Sequence, residues 1–176
     1  MRLNGGEIQI LGNNNAADNT KDQGAASAEW KAILQDGGLV APGTANTLKF
    51  DYTGVLAAAT PNFHLTTVLA NQQPDDAAFG QKSFETITAN AGVTVPNILK
   101  LLGLFPVDSS HGTDNLWFRN NGERLALRGG DFDGGAGAGV FALALNHDRT
   151  AVTDFVGFRS ALLSSSEVVC LWACIQ

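Results

Sequence analysis

Trp117-Phe-Arg-Asn-Asn-Gly-Glu-Arg-Leu-Ala-Leu-Arg-Gly-Gly-Asp-Phe-Asp-Gly-Gly-Ala-Gly-Ala-Gly-Val-Phe-Ala-Leu-Ala-Leu-Asn-His-Asp-Arg149, closed by Val156-Gly-Phe-Arg-Ser-Ala-Leu-Leu163, is the stretch on which the fold turns. Short hydrophobic runs alternate in it with a loop built almost wholly of Gly, Ala and Asp. Such runs make the strands of a scaffold, and small polar residues held between them make a surface on which binding commonly resides. Strands are expected over residues 116–119, 125–128, 139–145 and 155–162, with Asn120-Asn-Gly122 as the turn after the first. In Asp131-Phe132-Asp133 an extended backbone would send both carboxylates one way and Phe132 inward. Trp117, Phe118, Phe141 and Phe158 are expected in the core. Arg128 and Arg159 are read as structural, their guanidinium groups holding irregular backbone, with Glu123, Asp148 and Asp154 as available partners for the arginines of this region.

Outward from that stretch the signals alternate between helix and strand. Residues 1–12, with Ile8, Ile10 and Leu11, suit a first strand, and residues 13–20 a loop. Ser27 is placed to cap a helix over residues 28–35, where Trp30, Ile33 and Leu34 share a face, and Asp36-Gly-Gly ends it. Residues 47–52 alternate as a strand. Residues 63–69 fit a strand or a short helix, and residues 84–91 fit a helix. Pro96 opens a helix over residues 96–103 that Gly103 closes. Residues 168–175 fit one more strand. Two helices, then short strands with long irregular loops, describe an α+β chain forming a single domain over residues 1–176.

Composition excludes several classes. Hydrophobic residues at 44% and charged residues at 16% indicate a folded chain rather than a disordered one. A formal charge of −6 argues against nucleic-acid binding, which wants a basic face. No apolar stretch is long enough to span a bilayer. The first residues, Met1-Arg-Leu-Asn-Gly-Gly-Glu7, lack the apolar segment of a signal peptide, so synthesis in a cytoplasm is expected, with any export by another route such as assembly into a particle. Cys170 and Cys174 stand four apart with no second pair and no neighbouring His to complete a zinc set. They read as small hydrophobes, and a disulfide stays open only if the segment bends. Gln73-Pro74-Asp75 matches the sugar-and-calcium tripeptide of some lectins, but it lies early and lacks the partner Trp-Asn-Asp, so chance explains it better. The glycine run 129–139 has no Lys-Ser/Thr and is acidic, which suits no phosphate loop. His64, His111 and His147 are scattered and form no metal-ligand spacing.

From Trp117 to Leu163 the sequence resembles the C-type-lectin-fold branch that includes formylglycine-generating (sulfatase-modifying-factor) proteins. Arg128-Gly129-Gly130 and the closing Gly157-Phe158-Arg159 carry that likeness. Within the branch it is most similar to the variable proteins of diversity-generating retroelements of phages, prophages and archaeal viruses. That likeness rests on Asn121-Gly-Glu-Arg124, Arg128-Gly-Gly130, Ala138-Gly-Val-Phe-Ala-Leu143 and Val156-Gly-Phe-Arg-Ser-Ala161, with support from Trp30-Lys-Ala-Ile-Leu34 and residues 95–106. Residues 53–93 contribute little. The resemblance implies a C-type-lectin fold with two helices and short, mainly antiparallel strands.

It also implies a mechanism. An error-prone reverse transcriptase rewrites template adenines, and the product replaces the 3′ part of the gene. Chosen surface positions in a variable region, here about residues 128–162, change while the scaffold persists. Asp131, Asp133, Ala136, Ala138, Asn146, His147, Thr150, Val152, Asp154 and Phe155 lie between the scaffold blocks and are the expected ligand-binding residues. Asp, Ala, Thr, Val and His are all reachable from an Asn codon by changing adenines. The expected function is non-enzymatic recognition, as a receptor-binding tip on a viral tail or an adhesin displayed on a cell surface. The expected partner is a host cell-surface ligand of protein nature. No cofactor, metal, nucleic acid or membrane insertion is expected, and homo-oligomers would multiply avidity. One rival reading is a metal-dependent oxidase of the formylglycine-generating type. That chemistry needs a Cys pair before the closing Gly-Phe-Arg or a cluster of His ligands, and no Cys lies between Trp117 and Arg159. The other rival is a structural virion component whose loop packs against a neighbour.

Overall fold

The computed structural model describes residues 1–11, 24–56, 61–73 and 79–154. Strands β1 (Arg2–Asn4) and β2 (Glu7–Leu11) form a hairpin. Its turn is Gly5-Gly6, both at positive φ, the backbone hand that a two-residue hairpin turn requires. Strand β3 (Trp30–Ile33) pairs antiparallel with the end of β2 and turns through Asp36-Gly37-Gly38 into β4 (Leu39–Val40). Strands β5 (Lys49–Thr53) and β6 (Asn62–Thr66) form a five-pair antiparallel ladder. Then come β7 (Gly80–Ser83), a 3-10 turn at Phe84–Thr86, β8 (Thr88–Ala89) and the helix α1 (Asn97–Leu101). Strands β9 (Asn115–Phe118), β10 (Glu123–Leu125), β11 (Leu127–Arg128) and β12 (Leu143–Leu145) follow, with a 3-10 turn at Gly135–Gly137 before the last.

These strands make two sheets. The larger runs β10-β1-β2-β5-β6-β8, with β3 and β4 branching from β2. Its branch point is at β2: Gln9 to Leu11 pair with β3, whereas Glu7 pairs with Lys49 of β5. The smaller sheet runs β11-β12-β9-β7, with β12 and β9 parallel. The chain crosses from one sheet to the other at Ala126, between β10 and β11. Phe118 of β9 fills the space between the sheets. Its ring meets Phe63 at 4.7 Å, Phe50 at 6.3 Å and Tyr52 at 6.4 Å, the last two edge-on. Edge-to-face packing suits the ring quadrupoles. Leu3, Ile8, Ile33, Leu48, Leu65, Leu116, Leu143 and Leu145 complete this core. Strand β7 starts on Gly80 because the Phe63 ring needs the room: a Cβ there would fall 2.5 Å from Phe63 Cζ.

The expected α+β architecture, with the two helices of a C-type-lectin fold, does not hold. The described residues are mostly β, and their one α-helix is five residues long. The failure begins at residues 28–35, which form β3. The Ser27 hydroxyl does accept the Glu29 N–H, at 3.1 Å, so the capping interaction exists. It closes a local turn instead, because Ser side chains satisfy nearby backbone in non-helical conformations equally well. A short helix is also poorly nucleated in isolation, whereas β2 offers an edge with three residue pairs. Trp30 is then held by its indole N–H on Gly24 O and by the Arg2 guanidinium over its ring. Residues 84–91 form the 3-10 turn and β8 rather than a helix. The helix opened by Pro96 does form, as α1. Gly103, at φ 65°, closes it with the paired bonds Leu104 N–H to Leu99 O and Gly103 N–H to Lys100 O. Residues 63–69 resolve as strand at β6. Residues 139–145 are a strand only at β12, and residues 125–128 are two short strands.

Buried polar groups tie loops to the sheets. Asp51 is fully buried and accepts the N–H groups of Tyr52, Ala70 and Asn71. Glu7 accepts from Gln9, Gly43 and the Thr47 hydroxyl. Glu123 joins β10 to the last described loop: Arg149 reaches it with two bonds of 2.9 Å, and Arg2 with one of 2.6 Å. The Arg149 bonds hold the Glu123 carboxyl below its ordinary range; burial pushes the other way, and Arg2 adds to the lowering. A carboxyl depressed on folding contributes stability above its unfolded pKa, near ~4.3, and loses it as pH falls through the folded value. The melting temperature should therefore fall steeply below about pH 4. Glu123→Gln should melt lower at pH 7 and show a flatter decline from pH 5 to pH 3; identical slopes would refute the linkage.

Candidate functional site

The Gly-Ala-Asp loop between β11 and β12 lies on the segment preceding β9, and contact leaves no room for a side chain at Gly137 or Gly139. The Asp114 carboxylate accepts the Phe141 N–H at 2.7 Å, and a Cβ on Gly139 would fall 2.2 Å from Asp114 Oδ1. The Thr113 hydroxyl donates to Ala136 O at 2.8 Å, and Asn115 Nδ2 occupies the place of a Gly137 Cβ. Gly130 faces Ala138, whose Cβ and Cα stand about where a Gly130 side chain would begin. Asp131 curls over Gly134 and has its Oδ1 buried without a hydrogen-bond partner. Gly130, Gly134, Gly137 and Gly139 are thus packing requirements in a compact coil, not a sign of slackness.

The positions expected to bind ligand divide by exposure. Asp133, Ala136, Thr150, Val152 and Asp154 face solvent, Val152 at 94%. Asp131, Ala138, Asn146 and His147 are partly buried, and Phe155 lies outside the described residues. Burial and the charges of Arg119 and Arg124 push the His147 pKa below its ordinary value, against Asp148, which leaves the imidazole neutral at pH 7. Asp148 accepts both the N–H and the hydroxyl of Thr150 at 2.8 Å, which fixes the turn that presents Thr150 and Val152. Those two bonds also lower the Asp148 pKa.

Two aromatic side chains lie where the alternation did not put them. Phe132 is 70% exposed rather than inward, because residues 131–138 coil and never extend. Phe141 is 40% exposed rather than core, although one face meets His111 edge-on at 4.6 Å. Phe118 is fully buried as expected, and Trp117 is partly buried against Leu127 and Ala144. The closing Gly157-Phe158-Arg159, Cys170, Cys174, Pro74 and Asp75 lie outside the described residues. Gln73 N–H bonds Asn120 Oδ1 inside the fold.

Sequence reasoning missed a groove of about 380 Å³ beside this face. Lys100, Leu101 and Gly103 from the end of α1 form one wall, and Val140 and Phe141 the other, with Arg128 and Gly129 between them. Leu101 is 84% exposed and Val140 is 80% exposed. Arg128 fits its expected structural role in part: its Nη1 donates to Phe141 O at 2.8 Å, and its guanidinium lies 5.1 Å from the Phe84 ring centroid. Its Nη2 is buried beside Gly103 with no partner. Burial pushes the Arg128 pKa down to about 10, against the pull of Asp114, so it stays charged at neutral pH. An exposed leucine at the end of α1 was the available sequence signal.

His64 sits against Asp51 in the larger sheet, and His111 between Phe84 and Phe141, so the histidines do not converge. Among the described residues no group of three or more His, Cys, Asp or Glu could hold a metal ion, and no helix is long and apolar enough to cross a membrane. No protein-family model matches the chain, and no curated protein matches it.

Proposed function

We propose that the chain is a recognition protein that binds an external ligand without transforming it, through the exposed positions of segments 131–138 and 146–154. What supports this reading is a packed frame bearing exposed, unlike side chains: Gly137 and Gly139 lie against Asn115 of β9 and Asp114 before it, Gly130 lies against Ala138, and Asp133, Ala136, Thr150, Val152 and Asp154 reach solvent. A fixed frame with changeable contacts suits binding, because ordering costs are met before the ligand arrives. Val152, 94% exposed, offers a partner an apolar contact. The resemblance to retroelement variable proteins supplies the reason such positions would vary. It carries with it a host-surface protein as ligand and display on a viral tail or a cell surface.

A display library randomised at Asp133, Ala136, Thr150, Val152 and Asp154 tests the proposal. Selected against a panel of unrelated test proteins, it should yield clones that bind distinct members and melt within a few degrees of the parent. A library that folds yet gives no binder against any panel member would overturn the reading. Sequencing of the flanking DNA tests the retroelement itself. A reverse-transcriptase gene should lie nearby with a near-copy of the 3′ end of this gene, differing where the copy has adenine.

A further inference from the structure

We propose that the groove between α1 and Val140-Phe141 binds a small apolar monocarboxylate, its carboxylate on Arg128 and its apolar body along Leu101, Val140 and Phe141. The site is separate from the exposed positions 133, 136, 150, 152 and 154 and does not depend on their role. Its chemistry follows from what each lining group has left to offer. Three carbonyls of α1 are spent: Ile98, Leu99 and Lys100 accept from the N–H groups of Leu102, Leu104 and Gly103. The Asp114 carboxylate holds Phe141 N–H, and Phe141 O is taken by Arg128 Nη1. The Arg128 side chain is nine-tenths buried, yet Nη2 has no acceptor. A buried cationic donor without a partner is costly, and a carboxylate is the acceptor whose charge and geometry suit a guanidinium best. Lys100 adds a second positive charge at the wall.

The remaining walls are apolar, so the ligand must carry hydrocarbon next to its charge. A volume of about 380 Å³ suits a small molecule rather than a folded partner. Gly103 adjoins the donor directly, since a Cβ there would fall 2.2 Å from Nη2.

Octanoate, octanol and octylamine, titrated into the full-length 15N-labelled protein, test this. Octanoate should saturate and shift the amide signals of Gly103, Gly129 and Phe141. Octanol and octylamine should bind roughly tenfold or more weakly, reflecting the lost charge-assisted hydrogen bond. Arg128→Gln should abolish the preference for octanoate. Because Arg128 also holds Phe141 O, Leu101→Asp and Val140→Asp provide variants at exposed positions that should stay folded and lose octanoate binding. Equal binding of all three compounds, shifts confined to other residues, or unchanged octanoate affinity in both aspartate variants would each overturn the site.

Discussion

Phe118→Ala should be the most damaging single truncation, lowering stability by about 3–5 kcal/mol, the usual cost of emptying a large aromatic site. The ring is fully buried and stands between the sheets, in contact with Phe50, Tyr52 and Phe63 across the interface. Neither sheet can close the void without moving the other. For a chain of this length the melting temperature should fall by roughly 10 °C. Denaturant unfolding of the variant checks the size of the loss, and a cost below about 1 kcal/mol would mean that the sheets do not pack through this residue.

Gly130→Ala and Gly139→Ala should each cost about 1–3 kcal/mol, the range for forcing atoms into filled space. The two clashes differ in kind. At Gly130 the new methyl meets the Cβ, Cα and carbonyl carbon of Ala138, so relief requires backbone movement. At Gly139 it meets the Asp114 carboxylate, which can swing aside only by releasing Phe141 N–H. Gly130→Ala should therefore be the worse of the two. Asp133→Ala, in the same coil but solvent-facing, should change stability by less than about 0.5 kcal/mol. Thermal melts of the three variants decide between a packed coil and a slack one, since a slack loop would accept both methyl groups without loss.

The parts of the fold legible in the sequence were those governed by local rules. The hydrophobic run Leu116-Trp117-Phe118 placed a strand, and Pro96 with Gly103 placed α1 and its closing turn. Residues 28–35 misled because their cap is real while their partner is remote: β2 lies about twenty residues earlier, and its free edge decides between helix and strand. Phe132 misled for a related reason. Alternation assigns sides only to extended backbone, and the six glycines of residues 129–139 permit a coil instead. The Gly-Ala-Asp loop was visible as a composition, a run of small residues between hydrophobic blocks. Which of its positions reach solvent depends on Thr113, Asp114 and Asn115, which no pattern inside the loop reveals. The groove was invisible because its walls come from α1 and from a segment some forty residues later.

The recognition account stands on the division between a frame that cannot change and a surface that can. A saturation scan of residues 128–154, read by resistance of the folded protein to protease, measures that division directly. Broad tolerance is predicted at Asp133, Ala136, Thr150, Val152 and Asp154, together with rejection of side chains at Gly130, Gly137 and Gly139. Uniform tolerance across the loop, or rejection concentrated at the solvent-facing positions, would contradict it.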